Sequence, residues 1–125
     1  MKEIEIGTSH IEKEQVAREM SASNIGSGLL EVYSTPSMIA LMEKTSYLCI
    51  EPYLDHSESS VGGALNIRHL KPTAIGETVT CQSTVIEQSG KKVVFELAVM
   101  EGNKQIGTGT HVRFVIDKAT FMQMI

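Results

Sequence analysis

Glu43 is the residue that stands out chemically, because it directly follows Met38-Ile39-Ala40-Leu41-Met42 in a segment of helical composition. A carboxylate buried without partners costs on the order of several kcal/mol, so Glu43 must reach solvent or have partners assigned to it. Two readings stay open from the residues alone: Glu43 and Lys44 mark the solvent-facing edge of the helix, or the carboxylate faces a cleft. Thr35 precedes Glu43 by eight residues. On a helix the two side chains then lie about 80° apart around the axis and roughly 12 Å apart along it, so they can flank one substrate without touching. The Thr35-Pro36 pair reads most simply as an N-cap followed by proline at the first helical position. That does not conflict with function, since a helix N-terminus also offers free N–H groups to an anion or a developing oxyanion.

Among the four histidines, His69 ends a strand-like segment on the same face as Leu65 and Ile67, where a structural and a catalytic role are both open. His10 and His56 fall in loop-like sequence. His111 shares a strand face with Arg113, and the arginine suits either a surface position or the fixing of a phosphate or carboxylate. No nucleophile elbow, phosphate-binding loop, dinucleotide fingerprint or zinc-ligand spacing occurs.

These residues need elements to position them. Glu77 to Gln88, the stretch around Val93 to Val99, and Ile106 to Ile116 alternate with the period of two of half-buried strands, separated by turns at Ser89-Gly90 and Gly102-Asn103. In the last of them, Ile106, Thr108, Thr110, Val112, Phe114 and Ile116 form the expected apolar face, opposite Gly107, Gly109, His111 and Arg113. Ser60 to Leu70 reads as a further strand and Lys2 to Ile6 as a short first one. Pro36 to about Cys49 is the main helix, rich in Met, Leu and Ala and free of internal Gly or Pro after its start. Ile11 to Met20 could hold a short helix, and Gly26 and Gly28 among serines suggest a flexible connector. The helix is apolar around much of its circumference, so something must wrap it. An antiparallel sheet curled around it leaves unpaired edges that a second copy would remove, which favours a homodimer.

The chain has 125 residues, 42% of them hydrophobic, which suits one α+β domain. Eleven Lys and Arg against fifteen Asp and Glu give a net charge of −4, so no general basic field exists for nucleic acid. Aromatic residues are only 5% and Trp is absent, which disfavours stacking platforms for bases or sugars. Cys49 and Cys81 show no metal-ligand or disulfide spacing, and a reducing, cytoplasmic setting is expected. The N-terminus MKEIEIGTSH is too charged for the apolar core of a signal peptide, and no apolar run approaches the ~20 residues of a membrane span.

Taken in order, Ser34-Thr35-Pro36 with Leu41-Met42-Glu43, Glu51-Pro52-Tyr53-Leu54, Gly62-Gly63-Ala64-Leu65-Asn66-Ile67-Arg68-His69, Gly76, and Ile106-Gly107-Thr108-Gly109-Thr110-His111-Val112-Arg113 resemble a hot-dog domain of the fluoroacetyl-CoA thioesterase type. The resemblance runs from about Ile6 to Ile116. It implies a curved antiparallel sheet wrapped around one long helix and an acyl-CoA thioesterase working as a homodimer, with tetramers left open. It also implies a site between subunits across which coenzyme A lies, and no cofactor beyond the CoA of the substrate. It places the catalytic set on Thr35, Glu43 and His69 and substrate contacts on Gly62, Gly63 and Arg113, with no metal. In those roles Thr35 or a neighbouring water supplies the nucleophile, His69 the base, and Glu43 orients His69 or activates water. Arg68, Lys71, Lys91, Lys92 or Lys118 could meet the CoA phosphates. One departure bears on the substrate: the phenylalanines that form a lid before the threonine in the fluoroacetyl-specific enzyme are replaced here by Ser23-Asn24-Ile25-Gly26-Ser27-Gly28-Leu29-Leu30. The expected substrate is therefore a small or short-chain acyl-CoA. A non-hydrolytic acyl-CoA or lipid-binding module is the alternative.

Overall fold

The computed structural model describes residues 1–125. Five antiparallel strands, β1 (Ser9–Gln15), β2 (Glu58–His69), β3 (Thr78–Ser89), β4 (Lys92–Glu101) and β5 (Lys104–Asp117), form one sheet in the order β1-β3-β4-β5-β2. Helix α2 (Thr35–Ile50) packs on its inner face; α1 (Ala22–Ile25) and α3 (Lys118–Gln123) are short. The core forms where Met38, Leu41, Met42, Cys49 and Ile50 of α2 meet Val79, Cys81, Val85, Val93, Phe95, Leu97 and Val99 of the sheet. Both cysteines are free and buried, and burial pushes the Cys81 thiol up to about 11. The β3–β4 and β4–β5 hairpins close on two residues each, with Gly90 and Gly102 at positive φ in the first turn position.

Four expectations are corrected. The first strand is Ser9–Gln15, overlapping the Ile11 to Met20 segment expected to hold a helix, and Lys2 to Ile6 pairs with no strand. The sequence SHIEKEQ hides its character because β1 is an edge strand: Ile11 faces solvent while Glu14 turns inward and accepts the Tyr33 hydroxyl at 2.6 Å. The Gly26 connector is a folded turn. Ser21 caps α1, Gly26 closes it at φ 90°, and Ala22 N–H donates to Val32 O at 2.9 Å. The N-cap of α2 is Ser34, whose buried Oγ accepts the Ser37 N–H at 3.1 Å, so Thr35 is the first helical residue.

The apolar face of β5 is the reverse of that expected. Ile106 is an extra residue opposite the Val99–Met100 step of β4, a β-bulge, and both Ile106 and Gly107 are buried. One added residue shifts the alternation by one. From there on Gly107, His111, Arg113 and Val115 point inward, and Phe114 is 40% exposed. Gly107 lies beneath α2, where a Cβ would stand 2.6 Å from Met38 Sδ.

Candidate active site

Moving the cap to Ser34 frees the Thr35 hydroxyl. Thr35 Oγ1 lies 2.8 Å from His69 Nδ1, joining the first residue of α2 to the last residue of β2. An open cleft of about 310 Å³ lies over the pair, lined also by Ala22, Ser27, Val32 and Lys71. The His69 ring stands edge-on to Tyr33, with centroids 6.5 Å apart, and its Nε2 is buried without a hydrogen-bond partner. Burial pushes the His69 pKa below its ordinary value and so favours the neutral imidazole, the form that can take a proton from the threonine hydroxyl. Threonine and neutral imidazole are the parts needed to attack a carbonyl, and at the helix start, where Pro36 has no N–H and Ser34 takes those of Ser37 and Met38, the Thr35 N–H is the donor left for an oxyanion.

A second cluster forms further along α2. Glu43 Oε2 meets Arg113 Nη1 at 3.4 Å, with the carboxylate side chain 39% exposed and the arginine side chain 8% exposed. Arg113 is fixed on every side: Nε donates to Ser60 Oγ and Nη2 to Ser60 O, each at 2.9 Å, and the guanidinium sits 5.7 Å from the Tyr47 ring centroid. Burial pushes the Arg113 pKa down and Glu43 opposes that shift. The Glu43 dilemma is thus resolved by both readings together: it has a charged partner and it faces a cleft of about 350 Å³ with Gly62, Gly63 and His111.

The two glycines act differently. A Cβ on Gly62 would lie 2.8 Å from Glu43 Oε2, so the missing side chain is the space the carboxylate occupies. Gly63 is the extra residue of a bulge, since Gly62 pairs with Arg113 and Ala64 with Val112. Its Cβ position is filled by the Phe114 ring, 2.4 Å away.

Within one chain the six predicted residues fall into two groups, Thr35 with His69 and Glu43 with Gly62, Gly63 and Arg113. Glu43 makes no hydrogen bond to His69; its partner is Arg113. Of the five candidate phosphate cations, Lys71 lines the Thr35 cleft, whereas Lys91 pairs with Glu58 and Lys92 approaches Glu87. Sequence reasoning left His111, Ser60 and Tyr47 without a part in the site. The two-residue spacing of His111 and Arg113 on one strand face was the available signal for the histidine.

A curved five-stranded antiparallel sheet around one long helix is the architecture of hot-dog thioesterases. A family model described as fluoroacetyl-CoA-specific thioesterase, FlK, matches residues 16–119, and the chain belongs to this family of acyl-CoA thioester hydrolases. It is 34% identical over 91 residues to the fluoroacetyl-CoA thioesterase of Streptantibioticus cattleyicolor, a match covering 73% of this chain and 66% of that protein. A crystal structure of the fluoroacetyl-CoA thioesterase FlK superposes with a TM-score of 0.93 at 26% identity, covering 98% of this chain and 96% of that one. A single-site variant of it in complex with fluoroacetate and CoA gives 0.90 at 27% identity, over 94% and 99% of the two chains. A thioesterase-superfamily protein of Thermus thermophilus gives 0.92 at 25% identity, over 99% and 92%.

Proposed function

We propose that this chain is a single hot-dog domain that hydrolyses the thioester of a small or short-chain acyl-CoA, with Thr35, His69 and Glu43 as its catalytic set. The observation that carries the reading is the 2.8 Å contact between Thr35 Oγ1 and His69 Nδ1 at the mouth of a cleft. The hydroxyl, or a water held beside it, attacks the carbonyl carbon while Nδ1 takes the proton. The tetrahedral oxyanion is met by the Thr35 N–H, the one donor at the helix start that Ser34 does not claim. As the C–S bond breaks, the imidazolium returns the proton to the departing CoA sulfur, and any acyl-threonine is released by water. The reaction needs no cofactor beyond the CoA of the substrate. The cleft walls at Ala22, Ser27 and Val32 carry no phenylalanine, which supports small acyl groups without selection for fluorine.

Glu43 joins this chemistry through a second copy. β2 is an edge strand whose residues 62–66 are all exposed. A two-fold antiparallel pairing of β2 about residues 65–66 sets His69 of one chain opposite Gly62 of the other, and Gly62 lies against Glu43. Gly62, Gly63 and Arg113 then border the acyl group through the partner subunit's Glu43 cluster. Two buried free thiols and a helix set with none long and apolar enough to cross a membrane suit a cytoplasmic setting.

Thiol release measured over short, medium and aryl acyl-CoA substrates, beside a solution mass, tests the reading. Turnover of short substrates by a dimer is expected. Saturable acyl-CoA binding with no turnover at any chain length would favour the non-hydrolytic module instead.

A further inference from the structure

We propose that His111 is a positioning residue that holds the Glu43 carboxylate in place through Arg113, and that it does so as the Nδ1–H tautomer. The inference rests on the reading that Glu43 serves the reaction. His111 is 1% exposed on the inner face of β5, stacked on Phe95 with centroids 6.1 Å apart. Its Nδ1 lies 2.8 Å from Ala64 O, and a carbonyl can only accept, so the proton sits on Nδ1. Nε2 is then a bare acceptor, and Arg113 Nη1 donates to it at 3.2 Å. That same Nη1 reaches Glu43 Oε2 at 3.4 Å. One relay therefore runs from the Ala64 carbonyl, beside the Gly63 bulge, through imidazole and guanidinium to the carboxylate.

The tautomer matters because the guanidinium carries donors only and must find an acceptor at each position it presents. Ser60 satisfies Nε and Nη2, and His111 and Glu43 share Nη1. Without the Nε2 lone pair, Arg113 keeps its Ser60 anchor but one buried Nη1 donor is left without an acceptor, and the guanidinium can meet it only by shifting away from its place beside Glu43. The charged groups around His111 are Arg113 on its own strand and Glu43 on α2. β4 presents Phe95 and β2 the Ala64 carbonyl. The Cε1 edge of the His111 ring faces Gly62, where an added Cβ would stand 3.4 Å away. Nothing in this arrangement touches the Thr35–His69 pair of the same chain, so the expected effect is confined to the function of Glu43.

Two substitutions separate the halves of the relay. The amide oxygen of H111Q reaches the Nε2 position and keeps an acceptor for Arg113, whereas the amide of H111N fills the Nδ1 position and keeps only the Ala64 bond. H111N is expected to lower kcat by roughly 10- to 100-fold with KM within about twofold, the scale of a misplaced catalytic group, and H111Q to restore most of it. Ring nitrogen NMR of the wild type is expected to show His111 protonated at Nδ1. Equal losses in the two variants would mean a merely structural histidine and overturn the inference, as would an unaffected H111N or an Nε2–H tautomer. If the wild type turns over no acyl-CoA at all, the hydrolytic reading falls, and the tautomer and the Arg113–His111 contact in the spectra decide the relay by themselves.

Discussion

Thr35 and His69 are 34 residues apart in the chain and 2.8 Å apart in space, and neither has another side-chain hydrogen-bond partner. The pair exists because Ser34 has taken over the capping of α2, leaving the threonine hydroxyl unclaimed at the point where β2 ends. Thr35→Ala is expected to lower kcat by roughly 10²- to 10⁴-fold, the range of general base and nucleophile losses, with Thr35→Ser retaining much of the rate. Because Thr35 is exposed and does not cap, its melting temperature should match the wild type. Thiol release near the wild-type rate in Thr35→Ala and His69→Ala would remove both assignments.

Ser34→Ala separates stability from chemistry in the opposite sense. The substitution removes a cap worth about 1 kcal/mol and leaves Ser37 N–H without its buried acceptor. A lower midpoint in denaturant is expected, read by circular dichroism. An unchanged midpoint would show that the cap is replaceable.

Glu43 and Gly62 should fail together. Gly62→Ala puts a methyl 2.8 Å from Glu43 Oε2 and must displace the carboxylate, so its kinetic defect should resemble that of Glu43→Gln, and the double variant should be little worse than either single one. Fully additive losses in kcat would count against a shared cause.

Subunit mixing tests the two-chain site. Thr35→Ala and Glu43→Gln homodimers are each expected to be nearly inactive. If one site draws Thr35 from one chain and Glu43 from the other, a mixed dimer holds one site with both substitutions and one with neither. Remixing the two variants should therefore regain activity. No recovery after verified subunit exchange would place the whole catalytic set within one chain.

Acid should weaken the fold as well as the rate. Burial lowers the pKa of both His69 and His111 in the folded protein, while the unfolded chain protonates them near the ordinary value of about 6.5. Below that pH the unfolded state binds more protons, so their contribution is complete above about 6.5 and is lost as pH falls through the lower folded values. The melting temperature should drop from pH 7 to 5, less steeply in His111→Gln. The acid limb of kcat/KM should lie below the usual histidine range. A slope unaltered by the substitution would mean that other groups carry the acid response.

The site was readable in the sequence where chemistry and periodicity coincide. Glu43 is conspicuous because its apolar neighbours make it so, and β3 and β4 show their buried faces openly. Illegibility has local causes. β1 exposes its isoleucine and turns acids inward, which inverts the usual pattern for a strand, and its polarity suits an edge. Ser34 and Thr35 are equally good caps by type, so only the geometry of the helix start distinguishes them. The grouping of Glu43 with Arg113 instead of His69 depends on which strand lies beneath each turn of α2, a tertiary fact without a local signature.

The bulge at Ile106 decides what kind of molecule this strand makes. Had the alternation run through unbroken, Val112 and Phe114 would lie in the interior and His111 and Arg113 in water. The apolar content would be better hidden, but Glu43 would have no guanidinium to meet. A single extra residue thus lets one strand present a buried isoleucine at its start and a polar inner face further along. Deleting it would leave Gly107 opposite Val99 and His111 and Arg113 still facing inward, at the cost of one fully buried isoleucine, so the extra residue adds apolar burial to a strand whose remaining inner face is polar.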